Sequence, residues 1–445
     1  MILDRLKKPV LQNPYAQFDE NKLKLKPTDN NKEALNFVFG KDNKTPSDRV
    51  KETNLYRNYQ FFFGKVNQEN WQTVYTGLSC LILVYMKIQK GDNAQRIFES
   101  LNATGVDLSK GDLIRNYVLT GLERQEQEAV FQNYWIHIEK NTVDEGERKQ
   151  SRKKKTNTWN KISMFFLRFL QYKNQTKDVK EDEVFEKFNA YLDSKNLTDV
   201  LKELKLYSEG FYLFLNPQKV TSPDMRQHLI YLKQLKSSVI HPFLLPVYAD
   251  LRNEVIDEKM FVAILELLQS YHWRRMIANG EVGIFTSNYL LSVTPMLYDT
   301  AKPADNPVKY VEAIEKVLLR RKFPDDKQIM EALHTKSVYA LDNSWQRYLF
   351  ERLGRYIDDE GNVDYSSVTT DHVFPKNPET NWNDGSHILS EKELQKMADL
   401  HHRLGNLTPL IHRKKTADWA INHFWKNVTI RNTDIKTVPI CKHGN

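Results

Sequence analysis

Apolar residues recur at helical spacing through almost the whole middle of this chain, and that period leaves little room for a large sheet. From Thr156 to about Phe350, apolar faces alternate with polar breaks. Ile162, Phe165, Phe166, Phe169 and Leu170 form one stripe, and Val184, Phe185 and Phe188 another. Both read as core-facing sides of helices rather than as a cofactor box. Pro217, Pro223, Pro242 and Pro246 read as helix breaks, because proline lacks the N–H that a helix interior needs. Residues 262–275 read as one long helix ending in Arg274-Arg275, a pair that either grips phosphate or pairs internally. Residues 1–90 read as mainly helical with a loop around residues 41–48. Further on, Ile97, Phe98 and Leu101 share a helix face, Asn102-Ala-Thr-Gly105 supplies a turn, and Ser109 to Asp112 caps a helix carrying Leu113, Ile114, Tyr117 and Val118. These pieces predict a tight helix hairpin. The fold class that follows is mainly α.

With 445 residues, of which 40% are apolar, the chain has enough material for two or three domains of roughly 150 residues each. Its longest apolar run, Leu78 to Met86, is about half of what a bilayer requires, so no membrane partner is expected. The first residues, Met-Ile-Leu-Asp-Arg-Leu-Lys-Lys, lack the apolar core of a secretion signal. Two cysteines, Cys80 and Cys441, make neither a disulfide framework nor a zinc site, which fits a reducing, cytoplasmic location. A net charge of +8 and a pI near 9.0 point toward a polyanionic partner. The densest basic run is Arg148-Lys-Gln-Ser-Arg152-Lys153-Lys154-Lys155, which reads either as a solvated loop or as a phosphate contact. Trp159 shortly after it reads either as a base-stacking ring or, beside the stripe that begins at Ile162, as core. The sequence holds no sustained internal repeat, low-complexity tract or Gly-rich phosphate loop.

One stretch departs from the helical pattern. Tyr365-Ser-Ser-Val-Thr-Thr-Asp-His-Val-Phe is rich in β-branched and aromatic residues and stops at Pro375, so it reads as a short strand with Asp371 and His372 at its end. A second strand runs through residues 404–411, followed by a helix carrying Trp419, His423 and Trp425. Between them, Ser390-Glu-Lys-Glu393 has capping-box spacing for a helix reaching Leu400. Phosphodiester hydrolysis uses these residue types together. A carboxylate holds a hard divalent cation, an imidazole takes a proton from water, and an amide holds the imidazole or its loop. Asp371, His372 and Asn406 are the candidates for the three roles.

The order of these residues resembles the HNH, or ββα-metal, nuclease motif. More closely, Asp-His-Val-Phe-Pro, then Trp382, then Arg403-Leu-Gly-Asn-Leu-Thr-Pro-Leu resembles the C-terminal domain of GmrSD-type restriction endonucleases, which cut modified phage DNA. Residues 96–116, Arg-Ile-Phe-Glu-Ser-Leu-Asn-Ala-Thr-Gly-Val-Asp-Leu-Ser-Lys-Gly-Asp-Leu-Ile-Arg-Asn, are similar to a signature of the same family's N-terminal domain. The resemblance implies a metal-dependent DNA endonuclease or nickase of a phage-defence system, with His372 as general base, Asn406 fixing its loop, and Mg²⁺ or Mn²⁺ on Asp371. It implies three parts: residues 1–125 from the N-terminal domain, a helical middle at 126–350, and an HNH-like nuclease domain at 351–445. Double-stranded DNA would lie against Arg152, Lys153, Lys154, Lys155, Arg274, Arg275 and Arg403.

Two departures from the family pattern matter. The family places a second metal-ligating Asn about nine residues after Asn406, and here that slot falls at Lys415, whose ammonium repels a cation and suits phosphate instead. His412, Asp418 and Asn422 lie near enough to substitute. The family's nucleotide-associated Asp-Gly-Gln-Gln-Arg string does not occur in this chain, so the expectation is a shortened N-terminal domain, with a separate subunit as one source of the missing part. Asn102, Asp112, Arg115 and Asn116 then either faced that part or serve as caps and turn residues. The competing function is a DNA-binding or partner subunit without catalysis.

Overall fold

The computed structural model describes residues 29–39, 45–82, 109–120, 122–146, 161–279, 284–301, 309–321, 323–357, 365, 368–373 and 391–411. By contact the chain divides into two units, residues 1–92 and 93–445.

The first unit contains α1 (Asp29–Val38), α2 (Asp48–Lys51), α3 (Asn54–Lys65) and α4 (Trp71–Ser79). Its helix starts are written in side chains that accept orphan amides. Ser47 Oγ accepts from Val50 N at 3.3 Å, and Thr53 Oγ1 from Tyr56 N at 3.2 Å. Ser47 also donates to Glu33 at 2.9 Å, which ties α2 to α1. Among the described residues of this unit, Ala34, Leu35 and Val50 are the buried apolar ones.

The second unit begins with α5 (Lys110–Thr120), α6 (Arg124–Val130), a π-helical turn at Phe131–Trp135, and α7 (Ile136–Asn141). It continues through α8 (Lys161–Lys173), α9 (Val184–Asp193), α10 (Leu197–Leu215), α11 (Pro223–Gln234), α12 (His241–Arg252) and α13 (Glu258–Asn279). Then come α14 (Ile284–Ala301), α15 (Tyr310–Arg320), α16 (Asp326–Thr335), α17 (Asn343–Ile357), β1 (Val368–His372), α18 (Glu391–Leu400) and β2 (Leu407–Ile411). The fold is mainly α, as the apolar period requires.

Helix α8 is the centre of the larger core. Every residue from Ile162 to Tyr172 is buried, because α5, α9, α12 and α14 pack around it. Trp135 stacks on Phe166 at 5.9 Å, and Phe165 meets Phe211 at 5.4 Å. Trp135 Nε1 donates to Glu139 at 2.8 Å, and the same carboxylate oxygen receives Arg115 Nη1 at 3.0 Å. Ser109 caps α5, its hydroxyl accepting from Asp112 N at 3.1 Å and donating to the Asp112 carboxylate at 2.7 Å. Asp112 and Arg115 thus serve the packing of this unit. Asn102 lies outside the described residues.

Three of the four prolines read as breaks do mark boundaries. Pro217 opens a 3₁₀ turn, Pro223 opens α11, and Pro242 sits in the first turn of α12. Pro246 is a correction, since α12 runs through it. An interior proline costs about 3 kcal/mol. Its neighbours Leu244, Leu245 and Val247 are wholly buried, and each such side chain returns about 1.5–3 kcal/mol, so packing wins.

A second core carries the hairpin. Tyr231, Leu235, Met276, Ile277, Val338, Trp345, Tyr348 and Leu349 cluster there with Leu407 of β2, and Leu404 packs against them. Gly354 on α17 lies against Tyr365 at the edge of this region. A β-carbon there would overlap the Tyr365 hydroxyl and stand 2.7 Å from Tyr365 Cζ, so a side chain at 354 would displace the Tyr365 ring.

Candidate active site

Strands β1 and β2 pair antiparallel, with Asp371 opposite Thr408 and His372 opposite Leu407. Alternation puts Val368, Thr370 and His372 on one face of β1, where Val368 and His372 are buried and Thr370 is half-buried. Two contacts close the end of the ladder. Val373 N donates to Asn406 O at 2.8 Å, and Asn406 Nδ2 donates to His401 O at 2.9 Å. Asn406 therefore holds the residue after His372 with its backbone and the turn before β2 with its side chain. Asp371, half-buried, accepts the His372 amide through Oδ1 at 2.8 Å.

His372 is 6% exposed and lies in a cluster of four rings. Its Nε2 is 3.0 Å from His402 Nδ1. Tyr339 packs against it at 4.3 Å, His401 meets it edge-on at 4.7 Å, and His402 lies 5.2 Å away, centroid to centroid. Tyr339 also stacks on His402 at 5.2 Å, and its backbone N–H donates to His402 O at 3.2 Å.

The loop that delivers Tyr339 is anchored on α17. Buried Gln346 donates to the carbonyls of Tyr339 at 2.9 Å and Leu341 at 2.7 Å. Asp342 receives Lys236 Nζ and Ser344 Oγ, each at 2.7 Å, and the lysine contact, with those from Ser344, holds its carboxyl down at about 2. Arg403 donates through Nε to Asp399 O at 3.0 Å and through Nη1 to His334 O, which ties the turn after α18 to the end of α16.

The other sequence candidates separate. Arg274 adopts the internal one of its two readings: Nη2 pairs with Asp326 at 2.6 Å, and Nη1 donates to Pro324 O at 3.1 Å. Arg275 is buried, a position that removes it from a phosphate surface. Arg152, Lys153, Lys154, Lys155, His412, Lys415, Asp418 and Asn422 lie outside the described residues, as do Trp159 and the helix carrying Trp419, His423 and Trp425. The sequence reading passed over His401, His402 and Tyr339. His401-His402 stands directly before Arg403-Leu-Gly-Asn406, and that adjacency was the available signal. Tyr339 gives none, since it reaches the site only through the packing of α17.

Among the described residues, no group of three or more His, Cys, Asp or Glu side chains is placed to hold a metal ion. At the described end of β1, Asp371 offers a hard carboxylate oxygen. That is compatible with Mg²⁺, which keeps several waters and takes one or two carboxylates, whereas the imidazoles suit softer ions.

Two domain models match the chain. Residues 6–119 match the GmrSD restriction endonuclease N-terminal domain, and residues 323–418 match the GmrSD restriction endonuclease C-terminal domain. The two matches support a GmrSD-type restriction endonuclease family for this chain. The C-terminal match takes in α16, α17, the hairpin and α18, so Tyr339, His372, His401, His402 and Asn406 all fall inside it. Comparison with curated proteins returns no match. Among the described residues, no helix is long and apolar enough to cross a membrane.

Proposed function

We propose that this chain hydrolyses phosphodiester bonds in double-stranded DNA, modified phage DNA included, with His372 as general base and Asp371 as ligand to Mg²⁺ or Mn²⁺. The observation that carries the reading is the placement of His372: an imidazole at a strand end, packed by the rings of Tyr339, His401 and His402, with its own amide held by the Asp371 carboxylate, inside a restriction endonuclease domain match. The metal would offset negative charge on the phosphate and the leaving oxygen. His372 takes the proton of a water whose oxygen attacks phosphorus, and the bond to the leaving oxygen breaks. Asn406 keeps Val373 and His401 in place on either side of the base. Asp418 and Asn422 are the proposed further ligands, and Lys415 a phosphate contact. Arg152, Lys153, Lys154, Lys155 and Arg403 form the proposed DNA surface.

Plasmid nicking by the full chain, with and without Mg²⁺ or Mn²⁺, tests the reading. Cutting should require metal and fall to background in His372→Ala. Metal-independent cutting that survives in the variant refutes the assignment. A second reading, a DNA-binding subunit without catalysis, is favoured by Lys415 at the expected ligand position. Lys415→Asn separates the two readings: gain of Mg²⁺ binding and nicking over an inactive parent supports a degenerate site, whereas loss of nicking assigns Lys415 to the phosphate.

A further inference from the structure

Helices α3 and α4 have apolar sides that nothing among the described residues covers. Neither helix holds a buried residue. In α4, Trp71, Val74, Tyr75 and Leu78 recur at i, i+3, i+4 and i+7, the spacing of one helix face. Leu81 and Ile82 extend the run just past the helix end, where Leu81 N donates to Leu78 O at 3.2 Å. Val74, Tyr75, Leu78, Leu81 and Ile82 are all exposed, as are Phe61, Phe62 and Phe63 of α3 and Val66 beside them. A stripe of this period faces a core in a finished fold, and exposed apolar surface of this extent marks a place where something else docks.

The size and chemistry of this face select its occupant. The nine side chains are between 38% and 92% exposed. At roughly 150–200 Å² for a whole side chain of this kind, they leave on the order of 800–1,000 Å² of accessible surface. A stable specific interface takes about 800 Å² from each partner. Residues 70–82 carry no charged side chain. Duplex DNA, whose binding needs Lys and Arg, therefore finds nothing to hold on α4, and a lipid surface would want cations on the polar side of the helix, where Gln72, Thr73 and Thr76 stand. An identical α4 suits it: about a two-fold axis the same patch meets itself, and an uncharged helix brings no like charges together. The larger unit offers no matching face among its described residues, since its exposed Val255, Met296, Leu319, Tyr339, Tyr356 and Leu400 are spread over six separate segments.

We infer that the apolar stripe of α4, with the adjoining phenylalanines of α3, is the contact through which two copies of this chain pair. The inference goes beyond the proposed function and does not draw on it. A paired stripe buries Tyr75 and Leu78 near its centre, where a few side chains carry most of the binding energy of an interface. The polar side, with Thr73 and Thr76, stays in water.

Sedimentation velocity on the full chain across micromolar concentrations is the test. The parent should sediment at twice the chain mass. Leu78→Glu should raise the dissociation constant of the pair by about 30-fold or more, the loss expected when a central anchor of an interface is removed. Tyr75→Ser, which adds no charge, should weaken the pair in the same sense, and Thr76→Glu on the polar side should leave it intact. Because Tyr75 and Leu78 are exposed within one chain, neither change should lower the melting temperature, read by circular dichroism at dilutions where parent and variant are both single chains. A parent that sediments as a single chain throughout overturns the inference, and so does a pair that survives both Leu78→Glu and Tyr75→Ser. Earlier melting of dilute Leu78→Glu and Tyr75→Ser assigns the stripe to the chain's own core and overturns it as well. Nicking has no part in these readings, so a parent that pairs but never cuts DNA overturns the proposed function and leaves the inference standing.

Discussion

Acidification from pH 7 to pH 5 should loosen the helical body through two buried histidines, and the size of the loss follows from their surroundings. His241 in the first turn of α12 is 7% exposed, with Phe211 and Phe214 each 5.5 Å from its ring. Burial, reinforced by the positive charges of Arg168 and Lys161, pushes it down to about 3. His272 in α13 is 2% exposed, its Nδ1 against the Ser237 hydroxyl, and burial pushes it down to about 4. Both histidines titrate near 6.5 in an unfolded chain. Above that pH they are neutral in both states and cost nothing. As the pH falls below 6.5, the unfolded chain takes up protons that the folded chain refuses, so stability drops until the folded values are passed. At pH 5 each contributes about 1.5 units, or ~2 kcal/mol, and the pair ~4 kcal/mol. That is a large part of a typical total of roughly 5–15 kcal/mol. Urea unfolding followed by circular dichroism at pH 7, 6 and 5, in the parent and in His241→Phe/His272→Gln, measures it. The parent should lose ~4 kcal/mol more than the double variant over that range. Equal losses in the two proteins would show that neither histidine is held neutral in the fold, and the argument from burial would fail.

Three further outcomes follow from the hairpin and the basic run. Gly354→Ala drives a methyl into Tyr365 and should cost ~1–3 kcal/mol in thermal or urea unfolding; the same change made on Tyr365→Ala should instead stabilise by about 0.5–1 kcal/mol, since alanine is the better helix residue. Asn406→Ala strips His401 O of its donor and should destabilise the hairpin by ~1–3 kcal/mol, seen as faster amide exchange at Val373, and unchanged protection would remove Asn406 from its structural role. Replacing Lys153, Lys154 and Lys155 by Ala should flatten the slope of log affinity against log salt for duplex DNA by up to about 2 to 3 units, and an unchanged slope would make that run a solvated loop.

The helical body was readable because its signal is local. The stripes at Ile162–Leu170 and Val184–Phe188 fall in α8 and α9, and the run ending in Arg274-Arg275 lies inside α13, which continues to Asn279. The hairpin was readable for a different reason: β-branched residues before Asp371 and the Leu-Gly-Asn-Leu-Thr run stand out against helical surroundings. Pro246 was misread because its local cost is visible in sequence and the packing that outweighs it is not. The ring cluster was invisible for the same reason. Tyr339, His372 and His401-His402 come from three separate segments, and no period or spacing along a chain records that they meet. Arg274 could not be assigned until Asp326, far away in sequence, was found beside it.

The way the hairpin is anchored bears on how such a chain tolerates change in length. Leu407, sunk in the second core, sits opposite His372, so the pairing register and the burial of the imidazole are one constraint. A single residue inserted within β1 would turn His372 onto the open face and Asp371 onto the buried one. By contrast, residues inserted between Val373 and Glu391 leave both strands and the His401–Asn406 turn where they are. Doubling the length of such a connection costs only about 0.6 kcal/mol in closure entropy. Insertions and deletions should therefore accumulate in that interval across lineages, while the five residues of each strand keep their count.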